Sequence, residues 1–511
     1  MEKIKDIKSP FMCYCAKVIP LAFDESMSYY ECLCNFYNYL KNEVMPVINN
    51  NADATKELQD LFIELENYVN HYFDNLDVQE EINNKLDDMY EEGKLTSLIT
   101  SYLELQITYT FDTLNDMKEA TNFVNGCYAK TLGYNELNDG GASYYKIRTK
   151  TLDDETDEIF LIELDDDNLV AELIILKELN VKQAGLTGSS EDDATSILTV
   201  LCNSDYNLYF PEGTYSINTP ITLTHNMRGD GKDKTIIKYD GENHNEMFNA
   251  YNLINLIIKD ICFDCGEITD ILKTSINLYS TEGLIITNCE FKNGYGSHIR
   301  LNGSNNVLIE NSYFHDITGD VGNMGNAIYC HPVTNLTIRK CSCNNLMEDF
   351  LYLDGGSGYT VNNVIVENCD IHNTGHENQQ TSANAIGING DCQNVFIRNN
   401  IIYNNINGIK AAERDTALPE NIYIENNHIY GNSQNGSSIS GTNIHVSNNS
   451  FNDNGQDGLY FINTTNLNCS NNIIHDNTRT GLYLNKSYHC NVNNCTIYDN
   501  NSAGLIPLIL L

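Results

Sequence analysis

The chain runs to 511 residues, enough for more than one domain. Its 30 lysines and arginines face 70 aspartates and glutamates, a formal charge of −40, so nucleic acid and anionic membranes are not expected as main partners. No apolar run of about 18 residues occurs, so no membrane-spanning helix is predicted.

The first residues, "MEKIKDIKSPFMCYCAKVIPLAFDES", lack a clean apolar core and a small-residue cleavage site, so no signal peptide is expected and the thiols are expected to stay reduced in the producing cell. Residues 1–115 read as helical. Leu58, Leu61, Leu65, Tyr68, Val69 and Tyr72 form a stripe at helical spacing that suits a bundle or coiled coil. The segment "YFDNLDVQEEINNKLDDMYEEGKL" resembles the N-terminal anchors of tail fibres and appendages in phages of Gram-positive bacteria. The following "TLGYNELNDGGASYYKI" resembles the small β module that often comes next, which places a β linker at 116–178.

From residue 179 onward a β domain is expected. Its opening, "VKQAGLTGSSEDDATSILTVLCNSDYNLYFPEGTYSI", resembles the pectate lyase superfamily: Gly185 and Gly188 lead to Asp192, Asp193 and Thr195, an amphipathic helix, and then Pro211, Gly213 and Tyr215. Ala194 departs from the pattern. Residues 181–245 are thus read as a capping segment whose helix plugs the mouth of the fold, with Asp192 and Asp193 at the helix N-terminus in a structural role.

Residues 250–511 repeat. Aligned on Asp260, Asn288, Asn311, Lys340, Asn368, Asn399, Asn426, Asn448, Asn471 and Asn494, the units step by 22 (426 to 448) to 31 (368 to 399) residues. Apolar residues stand four and two before each anchor and three after it, alternating with polar ones as strands do. Such a unit cannot bury its apolar face alone, but stacked copies can, which predicts a right-handed parallel β-helix; the resemblance of the capping segment implies the pectin lyase-like kind. The residue after the anchor (Cys289, Ser312, Cys341, Cys369, Asn400, Asn427, Asn449, Asn472, Cys495) is read as a ladder in which each side chain meets its copy in the next coil, its cysteines as buried thiols. "CFDC" (Cys262, Cys265) stands alone and is weak ground for a metal. The end of a β-helix exposes strand edges, so after "AGLIPLILL" a cap from a partner or from further chain is expected.

A third strand in each unit is registered on Ile299, Ile328, Leu351, Ile386, Ile409, Leu459 and Leu482, all inward. The next residue then faces out: Arg300, Tyr329, Tyr352, Gly387, Lys410, Tyr460 and Tyr483. Two further on, His331 lies beside Asp354. Aromatic faces and charged donors suit sugar rings. The longest coils, between Asn311 and Asn426, carry Asp316, Asp320, Glu348, Asp349, Asp391, Glu413, Arg414 and Asp415. Glycoside hydrolysis needs two carboxyl groups. Asp354 is the first acid/base candidate and Asp349 or Glu413 the second, with His331 beside them. Asp349 and Asp354 would stand roughly 16 Å apart on an extended strand, so they become partners only if the chain bends. Elimination would instead draw on Lys410, Arg414 and His331. Arg300, Tyr329, Tyr352, Lys410, Arg414 and Tyr460 are the expected substrate contacts. Each carboxylate can equally be a solvated loop or ladder residue.

The two resemblances together imply a virion appendage, a phage tail spike assembled in the host cytoplasm. It would be a homotrimer, joined to tail or neck proteins through its N-terminal region, that binds and depolymerises a host surface polysaccharide or teichoic-acid-like polymer. A non-catalytic receptor-binding spike, or a bacterial polysaccharide lyase or hydrolase outside a virion, remain alternatives. No cofactor or metal is expected, unless elimination brings in a divalent cation.

Overall fold

A computed structural model describes residues 106–241, 246–266, 274–318, 325–356, 358–375 and 383–508, with Lys94, Ser97 and Thr100. The expected helical stripe from Leu58 to Tyr72 and the phage-anchor segment lie outside the described residues. Two compact units divide the chain, Met1–Gly185 and Leu186–Leu511. In the first, a five-stranded sheet runs in the spatial order Ile107–Phe111, Tyr128–Thr131, Ser143–Thr149, Leu169–Ile174, Leu161–Glu163. The sheet begins inside the stretch read as helical, because "ITYTF" alternates in exposure as a strand does. Within "GYNELNDGG", the Asp139 carboxylate accepts N–H groups from Tyr134, Asn135, Glu136 and Gly141 at 2.7–3.0 Å and so ties the turn together.

The second unit opens with the helix Thr195–Cys202, which buries Leu198, Leu201 and Cys202 against the strand Ile221–Leu223. Asp193 Oδ1 accepts the Thr195 N–H at 2.9 Å, whereas Asp192 takes the Thr187 hydroxyl. Beyond lies the parallel β-helix, in a 23-stranded and a 12-stranded sheet. Leu284, Val307, Leu336, Val364, Val395, Ile422, Ile444, Leu467 and Cys490 pair in consecutive coils, as the repeat requires. The column three after the anchor, from Phe291 through Cys343 to Ile497, does the same in the 12-stranded sheet. Phe263, Phe291 and Phe314 stack in its interior at 5.1 and 5.0 Å.

The paired asparagines divide two tasks. The first turns the chain: Asn288, Asn311, Asn368, Asn399, Asn426, Asn448, Asn471 and Asn494 all have φ between 51° and 58°, where asparagine is the side chain that costs least after glycine. The second is buried and forms the ladder. The N–H groups of Asn400, Asn427 and Asn449 donate to the Oδ1 of the next asparagine at 2.9, 2.8 and 2.9 Å, and each Nδ2 donates to that same oxygen at 3.0 Å. Cys289 joins the column by donating its N–H to Ser312 Oγ, and Cys369 by donating to Asn400 Oδ1. Every cysteine among the described residues is a free thiol. A second ladder, Asn405–Asn432–Asn454–Asn477–Asn500, runs beside the first. It follows the strand after the anchor, a turn the apolar alignment did not track. No helix among the described residues is long and apolar enough to cross a membrane.

On the outer side of the 12-stranded sheet, His315 sits between Glu290 (3.0 Å) and Asp316 (2.6 Å). Burial works against the imidazolium, but the hydrogen bonds to the two carboxylates outweigh it and hold His315 above its ordinary pKa. The hydrogen bond from His315 holds Glu290 below its own; Asp316 also lies below, because bonds from Asn345 and His315 outweigh its burial. The raised histidine contributes stability that is complete below the unfolded pKa near 6.5 and is lost as pH rises through its folded value. The carboxylates contribute above about pH 4, and that share is lost as pH falls through their depressed values. His315→Gln is therefore expected to lower stability by about 1 kcal/mol between roughly pH 5 and 6.5, since the Asp316 side chain is partly open to solvent and screened. Melting curves of both proteins should converge as the pH is raised further.

Candidate functional site

The third strands stack as read, with Ile299, Ile328, Leu351, Ile386 and Ile409 in register, and Leu459 with Leu482. One coil was missed. Ser437 stands between Ile409 and Leu459, fully buried, and a serine gives no apolar signal. The outward column is thus Arg300, Tyr329, Tyr352, Gly387, Lys410, Ser438, Tyr460, Tyr483. The rings of Tyr329 and Tyr352 stack at 5.7 Å, and the Arg300 guanidinium lies 5.2 Å from the Tyr329 ring centre.

Where the long coils lie, this column opens into a cleft of about 350 Å³. Tyr329, Tyr352, Asp349, Asp354, Lys410 and Arg414 line it, joined by Glu348 and by Asn326, Asn384 and Asn389. Asp354 is 2% exposed and held by donors. The Tyr329 hydroxyl donates to its Oδ2 at 2.7 Å, the Arg414 guanidinium lies 2.8 Å from Oδ1, and the Gly356 N–H reaches Oδ1 at 3.1 Å. His331 stands beside it, Nδ1 at 3.1 Å from the Asp354 carbonyl oxygen and 3.4 Å from Oδ2. Arg414 also donates to the Tyr352 hydroxyl at 3.1 Å.

Arg414 reaches Asp354 from two coils away because of its turn. Arg414 and Ala417 exchange both backbone hydrogen bonds across Asp415 (φ 51°) and Thr416 (φ 69°), a two-residue hairpin turn with left-handed central residues. A close approach helps: a Cβ on Gly356 would stand 2.7 Å from Arg414 Nε. The same turn leaves Glu413 exposed, and it does not line the cleft.

Asp349 does not lie on an extended strand with Asp354. The chain bends at 347–350 before the strand Leu351–Gly355 begins, which brings both carboxyl groups into one cleft. Asp349 is a rung of a further column, two residues before each third strand: Asn326, Asp349, Asn384, Asn407, Asn435, Asp457. Asp349 donates its N–H to Asn326 Oδ1 at 3.1 Å, and its own Oδ1 accepts the Asn384 N–H at 2.6 Å. Its other oxygen lies over Gly387, where any Cβ would collide with it. Gly387 is therefore glycine to leave room for a carboxyl group. Burial pushes Asp349 up to about 8, against the hydrogen bonds from Asn384; burial also raises Glu348.

Of the other expected contacts, Arg300 lies one coil before Tyr329, on the cleft's flank, and Tyr460 lies two coils beyond Lys410, where its hydroxyl accepts from Asn485 at 2.9 Å. Asp391 accepts from Thr360 and Gln393, Asp316 belongs to the His315 cluster, and Asp320 lies outside the described residues. Asn384 and Gly387 were not singled out as site residues. The constant spacing of the asparagine column could have marked Asp349 as the acid among amides. Among the described residues no group of three or more His, Cys, Asp and Glu is placed to hold a metal ion.

Stacked parallel coils with a polar cleft on one outer face define the class: a β-helix protein with a surface groove. The family described as "Right handed beta helix region" matches residues 241–421 and 384–506, together 241–506 and so just over half of the chain, and the protein belongs to that family. Among curated proteins none matches the sequence. Solved structures are similar in fold at low identity. A tailspike protein of the Acinetobacter baumannii bacteriophage Fri1, a capsular polysaccharide depolymerase, is 13% identical with a TM-score of 0.54, over 78% of this chain and 76% of its own. The A-module of an Azotobacter vinelandii mannuronan C-5 epimerase is 13% identical with a TM-score of 0.47, over 65% of this chain and all of its own. A Geobacillus virus E2 protein is 14% identical with a TM-score of 0.42, over 78% of this chain and 75% of its own.

Proposed function

We propose that this protein is a phage tail spike that binds a surface polysaccharide of a Gram-positive host along the outward column and hydrolyses it in the cleft. The observation that carries this reading is the pair of carboxyl groups in one cleft, each held by different neighbours. Asp349, pushed up to about 8 by burial, keeps its proton at neutral pH, whereas Asp354 lies against a guanidinium, a phenol and a backbone N–H. In the reaction, Asp349 gives its proton to the glycosidic oxygen as that bond breaks. A water attacks the anomeric carbon, and Asp354 takes the proton the water loses. Asp349 lies over Gly387, two residues along the strand from the partner of Asp354, Asn389. That step is roughly 6.6 Å, which leaves space for a water between the two groups. The anchoring of residues 1–115 to tail or neck proteins and assembly as a homotrimer belong to the same proposal, on the resemblance of the N-terminal segment.

The test is incubation with capsule and wall polysaccharides of Gram-positive bacteria, following new reducing ends together with the ultraviolet absorbance of unsaturated uronates. Reducing ends alone are expected. Both signals would reassign the cleft to elimination, with Lys410 and Arg414 facing a uronate. Binding without either signal would leave a receptor-binding spike.

A further inference from the structure

The cleft holds two cations in different situations. The Arg414 guanidinium is committed to Asp354 and to the Tyr352 hydroxyl. The Lys410 ammonium lines the same cleft, yet among the described residues it has neither an ion pair nor a hydrogen bond. Among the same residues Lys118, Lys150, Lys238 and Lys292 each find a carboxylate, whereas others such as Lys146 and Lys259 do not; Lys410 differs from those in lining the cleft. Two acids of the cleft lining, Glu348 and Asp349, are pushed toward the neutral form by burial, which in Asp349 outweighs the pull of the Lys410 charge, so they compensate the ammonium poorly. Lys410 is half-buried on a regular strand and pairs with Gly387, the residue over which the Asp349 carboxyl lies. The Lys410 backbone therefore stands about one coil, ~4.8 Å along the axis, from Gly387 and the acid over it.

We infer that Lys410 receives an anionic substituent of the bound glycan, a uronate carboxylate or a phosphate, carried on the unit next to the bond that is cleaved. This rests on the polysaccharide reading of the cleft and adds the chemical class of the polymer. The charge pattern also bounds the density of that anion. A surface at −40 repels a polymer charged at every position, whereas a single uncommitted cation in the cleft matches one anion per repeat. The site selects the repeat at short range, and the rest of the surface works against non-specific retention of polyanions.

The experiment measures binding and cleavage in parallel on purified bacterial surface polysaccharides of three kinds: neutral, uronate-bearing and phosphodiester-linked. Each uronate polymer is also tested after chemical reduction of its carboxyl groups. Wild type, Lys410→Gln and Lys410→Arg are compared. The expected result is binding confined to an anionic kind, a loss of at least about tenfold in affinity for Lys410→Gln, and retention of most of it in Lys410→Arg. Loss of binding on carboxyl reduction assigns the anion to a uronate; tight binding to a phosphodiester polymer, lost in Lys410→Gln, assigns it to phosphate. Equal binding of neutral or reduced polymers, equal affinity of Lys410→Gln and wild type, or binding of none of the three kinds would each overturn the inference. Binding of an anionic polymer without cleavage would overturn the hydrolase reading and leave Lys410 in its role. Cleavage of a neutral polymer would do the reverse.

Discussion

Asp349→Asn is expected to lower kcat by about a thousandfold, the loss typical of removing a positioned general acid, while leaving polymer binding within a few-fold of wild type. The substitution suits its position. Asn326, Asn384, Asn407 and Asn435 occupy the same column, and an amide at 349 can still accept the Asn384 N–H. Its effect on stability should have the opposite sign to its effect on rate. A carboxyl group whose folded pKa is raised to about 8 makes the native state lose ground as pH climbs from its unfolded value, near 4, through that folded value. Compared with wild type, Asp349→Asn should gain about 1.4 kcal/mol per pH unit across that window. Wild-type kcat should fall as pH rises through about 8, where the acid loses its proton. Chemical denaturation and initial rates across pH check both halves. Undiminished activity in Asp349→Asn would leave Asp349 as a ladder rung and no more.

Asn449→Ala should be among the most damaging single changes on the rod. It deprives the buried Asn427 N–H of its acceptor and Asn427 Nδ2 of one of its two, and takes the Nδ2 donor from the Ile424 carbonyl, although the residue 449 N–H still serves Asn472 Oδ1. Each stranded group costs about 1–3 kcal/mol, so a loss of about 4 kcal/mol is expected. The neighbour makes the contrast. Asn448 has φ 57° and serves the turn, so Asn448→Gly should be close to neutral while Asn449→Gly is as damaging as Asn449→Ala. Thermal or urea unfolding of the three variants separates the two tasks. If both glycine variants behaved alike, the division of labour between the paired asparagines would be mistaken.

How legible this was in the sequence differs from feature to feature. The columns through Leu336 and Ile338 were visible because strand periodicity is local and each coil repeats it. The ladder of Asn427 and Asn449 was visible for the same reason. Ser437 was hidden because burial of a hydroxyl has no periodic mark, and the strand Ile107–Phe111 because five residues carry little pattern against a helical neighbourhood. Tyr329, Tyr352, Asp354, His331 and Lys410 came from register alone. The register could not reveal what depends on neighbours. The state of Asp349 is set by burial, opposed by hydrogen bonds from Asn384, and its place by the absence of a side chain at Gly387, both residues one coil away. The choice between Glu413 and Arg414 is made by two left-handed residues, Asp415 and Thr416, whose backbone angles no spacing rule reports.

The ladder bonds and strand pairings pass from each coil only to the next, with few side chains reaching further, and Arg414 is one that does. A stack built this way can be edited like a sentence. Whole coils can be removed or inserted wherever the junction keeps an asparagine in each ladder, because the neighbours meet the same edge as before. The cleft is then a phrase running from Asn326 to Ala417, and Arg414 fixes its shortest length, since a transplant that stopped after Lys410 would leave Asp354 without its guanidinium. Related stacks could exchange such phrases in one recombination step, acquiring a new cleft while the coils on either side stay unchanged.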